Sequence, residues 1–132
     1  MIKKNVLITG TSTGLGFETA ILFANNGYKV YATMRNLKKA DALNTKIETD
    51  NLDIEILPLD VTDVKSIHSA VSKIINQDGK IDILINNAGT NIPEHFTKVK
   101  TKNMVKFSIS NFSIFILHNS FLYNQRQLVS FV

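Results

Sequence analysis

Three glycines, Gly10, Gly14 and Gly16, are interleaved with Thr11, Ser12 and Thr13 directly after the apolar run 5–9, and a helix-like pattern follows at once. A helix start exposes unpaired backbone N–H groups and the positive end of the helix dipole. A phosphate can use these only where the backbone comes close, and a Cβ would block that approach. The glycines therefore read as a tight turn, room for a pyrophosphate and close packing of helix on strand. The hydroxyls of Thr11, Ser12 and Thr13 are placed to donate to the same oxygens. A structural reading stays open beside this one, because strand-to-helix turns carry glycine and small polar residues anyway. The spacing is G-x-x-x-G-x-G rather than G-x-G-x-x-G, and with no G-K-[ST] the loop is not a nucleoside-triphosphate P-loop.

Other chemistries find little support. The absence of cysteine removes disulfides, thiolate metal sites and cysteine nucleophiles. His68, His95 and His118 lack metal-ligand spacing, and no pair of carboxylates stands apart from helix surfaces. The net charge is +4. Lys98, Lys100, Lys102 and Lys106 read as a solvated face and not as a nucleic-acid surface. The apolar region from Phe107 to Val132 is broken by polar residues and falls short of the ~20 needed to span a bilayer. The apolar run after Lys3 and Lys4 is too short for a signal peptide. A cytoplasmic protein without membrane or nucleic-acid partners is the expectation.

These residues must be positioned by the elements around them. The pattern predicts strands at 5–9, 28–33, 54–60 and 80–86, with helices from Gly14 to Asn26 and over 37–48 and 64–77. Strictly alternating β and α segments with short connections imply a parallel sheet covered on both faces. The fold class is a doubly wound α/β domain, Rossmann-like, with strand order 3-2-1-4. One domain over 1–132 accounts for the length, and 104–132 is an atypical tail. Within that tail a helix from about Lys102 to Asn124 can be drawn, apolar on nearly every side. Strand four would then keep an open edge, a template for aggregation unless something covers it.

The segment TGTSTGLG (9–16) resembles the cofactor motif T-G-x-x-x-G-x-G of the short-chain dehydrogenase/reductase family, and NNAG (86–89) resembles its second signature. LDVTD (59–63) is similar to the family segment that contacts the adenine ring. The resemblance covers residues 3 to about 95. It implies that Leu15 belongs to the cofactor motif, that Asp60 accepts from the adenine amino group beside the Val61 backbone, and that Asn87 ties neighbouring strands. Ala88 and Gly89 would leave room for the adenosine ribose. Asp60 could equally order the turn before the third helix.

An acidic residue at the end of the second strand selects NAD in such folds. Here Thr33 is expected where that acid would stand, with Arg35 just beyond, so a 2′-phosphate meets no repulsion and finds a guanidinium. NADP is the expected cofactor, NAD the weaker alternative. The family's proton chemistry needs a Tyr-x-x-x-Lys pair, and none of Tyr28, Tyr31 and Tyr123 is followed four residues later by Lys. Arg35 is four residues after Tyr31, but ~13 Å away along a strand. Asn111 stands about where the family carries a relay Asn, and 127–132 could start a fifth strand. The expectation is a cofactor-binding fragment of a carbonyl or alcohol oxidoreductase, with a small-molecule substrate only in a complete homologue. A non-catalytic NADP-binding module and an inactive truncated product remain as alternatives. The helix of the tail would suit packing against a second copy.

Overall fold

The structure, a computed structural model, describes residues 3–89 and 113–116. Its elements are β1 (Asn5–Thr9), α1 (Gly14–Asn25), β2 (Lys29–Met34), α2 (Asp41–Asp50), β3 (Ile54–Pro58), α3 (Val64–Asp78), β4 (Ile83–Asn86) and β5 (Ser113–Ile116), with a 3₁₀ turn at Leu37–Lys39. The sheet order is β3-β2-β1-β4-β5. The first four strands are parallel, with Thr9 opposite Thr33, Val6 opposite Ile83 and Ala32 opposite Ile56. β5 runs antiparallel to β4, placing Ile116 opposite Ile83.

Strands buried on both faces alternate their side chains between two cores. Val6, Ile8, Val30, Ala32, Ile83 and Ile85 point to one face, against Ala20 and Ala24 of α1 and Leu43 of α2. Leu7, Tyr31, Leu57 and Leu84 point to the other, against Ile67, Val71 and Ile74 of α3. Helices therefore cover both faces of the sheet, as the alternation implied. The chain winds outward from β1 through β2 to β3, then crosses back to put β4 on the other side of β1. The register of that crossing is pinned below β4. The Asn5 N–H donates to the buried Asp82 carboxylate at 2.7 Å, and the Asn5 amide donates to the Lys80 carbonyl at 3.1 Å.

Several expectations are corrected: β3 ends at Pro58 and β4 starts at Ile83, and the helix expected over 37–48 is a 3₁₀ turn at Leu37–Lys39 followed by α2. β2 is shifted one residue along from the expected 28–33, because Met34 still pairs with Pro58 of β3 and its carbonyl accepts from the Leu59 N–H at 3.1 Å. The helix drawn from about Lys102 to Asn124 is broken by β5, so it no longer argues for packing against a second copy. The unpaired backbone groups of β4's outer edge accept a strand, and SIFI is rich in the β-branched and aromatic residues that strands favour.

Candidate functional site

A cleft of about 350 Å³ opens at the C-terminal ends of β1 to β4, where the strand order reverses between β1 and β4. Open α/β sheets bind ligands at such switch points. The β1–α1 turn contributes Gly10, Ser12, Thr13 and Leu15, and the end of β2 contributes Met34 and Arg35. Leu59, Asp60, Val61 and Thr62 follow β3, while Asn87, Ala88 and Gly89 follow β4. Of the described residues expected at a cofactor, only Thr11, Gly14 and Gly16 are not among these. Asn111 lies outside the described residues.

The turn can close against β4 only because two positions lack a Cβ. Gly10 has φ +71°, and a Cβ there would sit 2.6 Å from the Ala88 Cα. A Cβ on Gly16 would come closer than 3.0 Å to both the Gly10 carbonyl oxygen and Asn87 Nδ2. The contact is sealed by hydrogen bonds. Asn87 Nδ2 donates to the carbonyls of Thr9 at 3.1 Å and Gly10 at 2.8 Å. The Thr9 hydroxyl oxygen accepts from the backbone N–H groups of Asn87 at 3.1 Å and Ala88 at 3.0 Å. Thr9 was not singled out from the sequence as a site residue, although it opens the TGTSTGLG motif and a buried hydroxyl at a strand end needs a partner.

The two helices that start near the cleft begin differently. α3 is capped by Asp63, whose carboxylate accepts from the Lys65 N–H at 3.0 Å. At α1 the N-cap Thr13 is extended and makes no side-chain cap bond, and the first turn carries no acid. The backbone N–H groups of that turn and the positive dipole end are thus left for an anion. Leu15 stands 62% exposed beside them.

The three hydroxyls of the turn do not share one direction. Ser12 and Thr13 line the cleft, whereas Thr11 is fully buried and donates both its N–H, at 3.0 Å, and its hydroxyl, at 3.1 Å, to the Thr33 carbonyl. Thr33, expected at the place of a cofactor-selecting acid, is also fully buried and gives its hydroxyl to the Ile8 carbonyl at 2.9 Å. Because β2 extends to Met34, it is Met34 and the exposed Arg35 that reach the cleft. No carboxylate stands at either place, and among the described residues nothing pairs with the Arg35 guanidinium.

Asp60 orders its own turn: Oδ1 accepts from the Thr62 N–H at 2.9 Å and the Thr62 hydroxyl at 2.7 Å, while the Asp60 N–H donates to Ser66 Oγ at 2.9 Å. Asp60 also stands on the wall of the cleft. A cluster of shifted titratable groups lies away from the cleft. The Tyr31 hydroxyl donates to Asp78, which also pairs with Lys29 at 2.8 Å. Burial, with the Asp78 hydrogen bond added, pushes the Tyr31 phenol up to about 12. Burial works to raise Asp78, but hydrogen bonds from Lys29 and Tyr31 hold it below the usual carboxylate range. Tyr31 thus serves the join between β2 and α3 and does not face the cleft.

The family model for short chain dehydrogenases matches residues 4–126. Human retinol dehydrogenase 13 is 35% identical over 121 residues, covering 90% of this chain and 36% of its own length. Mouse retinol dehydrogenase 12 is 39% identical over 88 residues, covering 65% of this chain and 28% of its own. The chain thus spans about a third of the curated relatives it matches. A metagenomic short-chain oxidoreductase solved with NADP superposes with a TM-score of 0.69 at 22% identity, over 81% of this chain and 49% of that one.

Proposed function

The chain belongs to the short-chain dehydrogenase family, and on that premise we propose that it binds NADP in the cleft, with NAD the weaker ligand. The residues present fit the group. The start of α1 is bare of side-chain caps, so its first-turn N–H groups receive the pyrophosphate, joined by the hydroxyls of Ser12 and Thr13. Gly10, Gly14 and Gly16 keep side chains out of that approach, and Thr11 and Leu15 complete the motif behind and beside it. Asp60 and Val61 take the adenine, while Asn87, Ala88 and Gly89 bound the space for its ribose.

The observation that carries the choice of NADP is Arg35. It is exposed on the cleft with no partner among the described residues, next to a strand end without a carboxylate. A charged hydrogen bond to a 2′-phosphate is worth ~1.5–3 kcal/mol, about ten- to a hundredfold in affinity. The relative solved with NADP is in keeping with this reading.

When bound, NADP supplies hydride transfer between its nicotinamide ring and a carbonyl or alcohol carbon of a small molecule. This chain's residues bind and orient; none of its tyrosines belongs to a Tyr-x-x-x-Lys pair that could move the proton. Asn111, outside the described residues, is the candidate for the relay Asn by its place in the sequence alone. Calorimetric titration with NADPH and with NADH tests the proposal. NADPH should bind at least about tenfold tighter, and Arg35→Ala should erase the difference. Equal affinities in the native chain would refute the choice of NADP, and no binding by a folded chain would refute the site.

A further inference from the structure

We infer that Thr11 is a positioning residue for cofactor selectivity, acting through Thr33 to hold Arg35 at a set distance from the phosphate turn. The inference rests on the cofactor reading above and adds to it a residue that never meets the ligand. Thr11 sits between Gly10 and Ser12, both of which line the cleft, yet it is fully buried. Both of its donors, N–H at 3.0 Å and hydroxyl at 3.1 Å, converge on one acceptor, the Thr33 carbonyl. Thr33 is equally buried, and its own hydroxyl is tied to the Ile8 carbonyl at 2.9 Å. Water does not compete for these bonds.

The consequence follows from chain position. Thr11 is the residue before Ser12 and Thr13, which line the cleft, and Thr33 stands two residues before Arg35, which lines it as well. At ~3.3 Å per residue the Arg35 Cα lies within about 7 Å of this anchor. One acceptor carbonyl therefore couples these two parts of the site. The N–H bond merely continues the β1–β2 ladder and survives any side-chain change. The hydroxyl bond is additional, and it constrains where β2 ends relative to the turn. Loosening it shifts the guanidinium relative to the 2′-phosphate, while the first-turn N–H groups of α1 still receive the pyrophosphate.

The test compares Thr11→Val, which keeps the shape and loses the donor, with Thr11→Ser, which keeps the donor. Each is titrated with NADPH and NADH beside the native chain and Arg35→Ala. A net hydrogen bond corresponds to about two- to tenfold, so Thr11→Val should lower the NADPH:NADH affinity ratio by a factor in that range. NADH affinity should stay within about twofold, and Thr11→Ser should keep the native ratio. A purely structural role would weaken both nucleotides together and leave the ratio alone, and that result overturns the inference. If the ratio falls with Arg35→Ala but not with Thr11→Val, only the positioning role is lost. If the native chain shows no preference, the cofactor reading and the inference fall together.

Discussion

Gly16→Ala places one methyl group at the most crowded point of the site. The added carbon would lie closer than 3.0 Å to the Gly10 carbonyl oxygen and to Asn87 Nδ2. Neither neighbour can yield cheaply, since one is backbone and the other is held by two carbonyls. Overpacking of this kind costs ~1–3 kcal/mol. Displacing the Asn87 amide forfeits two hydrogen bonds of about 0.5–1.5 kcal/mol each. Alanine's better helix propensity returns only ~0.5–1 kcal/mol. A net loss of about 1–5.5 kcal/mol follows, at its upper end a large part of the stability of a domain this size. Urea denaturation followed by far-ultraviolet dichroism measures it, with Gly14→Ala as the control. At Gly14 an added Cβ meets nothing within 4 Å, and only its φ of +62° resists substitution, at ~1–2 kcal/mol. If Gly16→Ala costs no more than Gly14→Ala, the closed contact between turn and β4 is not what holds the cleft together.

Alkaline titration offers an independent check. Tyr31's pKa is raised from 10.0 to about 12, so the folded state holds this proton more tightly than the unfolded chain. That stabilisation is complete below the unfolded value and is lost as pH climbs through the folded one. Unfolding midpoints should therefore fall across that interval, and Tyr31→Phe should flatten the profile; an identical slope in both would refute the assignment. The 132-residue chain should also leave NADPH unoxidised with carbonyl substrates, and consumption above background would show that another group moves the proton.

The glycine turn, the strand order and the cleft were legible because each rests on local grammar. An apolar run, a helical stripe and small residues at the joint specify a β–α unit wherever it sits. What escaped was set by distant pairing. Thr11, Ser12 and Thr13 look alike in sequence, and only the ladder to Thr33, 22 residues on, turns the first of them inward. The end of β2 was placed one residue early because a strand buried on both faces has no alternation to mark its register. β5 was hidden because four residues carry little helical or strand signal of their own; they become a strand by pairing with β4, whose residues come some thirty positions earlier.

The pairing of β1 with β4 has a bearing on how the domain assembles. The bonds that close the cleft join residues 77–79 positions apart, so they form only after most of the described chain is in place. Contacts of such high sequence separation are slow to form, since loop closure precedes their reward. The expectation is that the binding site forms late, which folding and unfolding rates of Asn87→Ala beside the native chain would check. A nucleotide bound there would act as a late latch, slowing the escape from the native state while leaving the climb toward it unchanged.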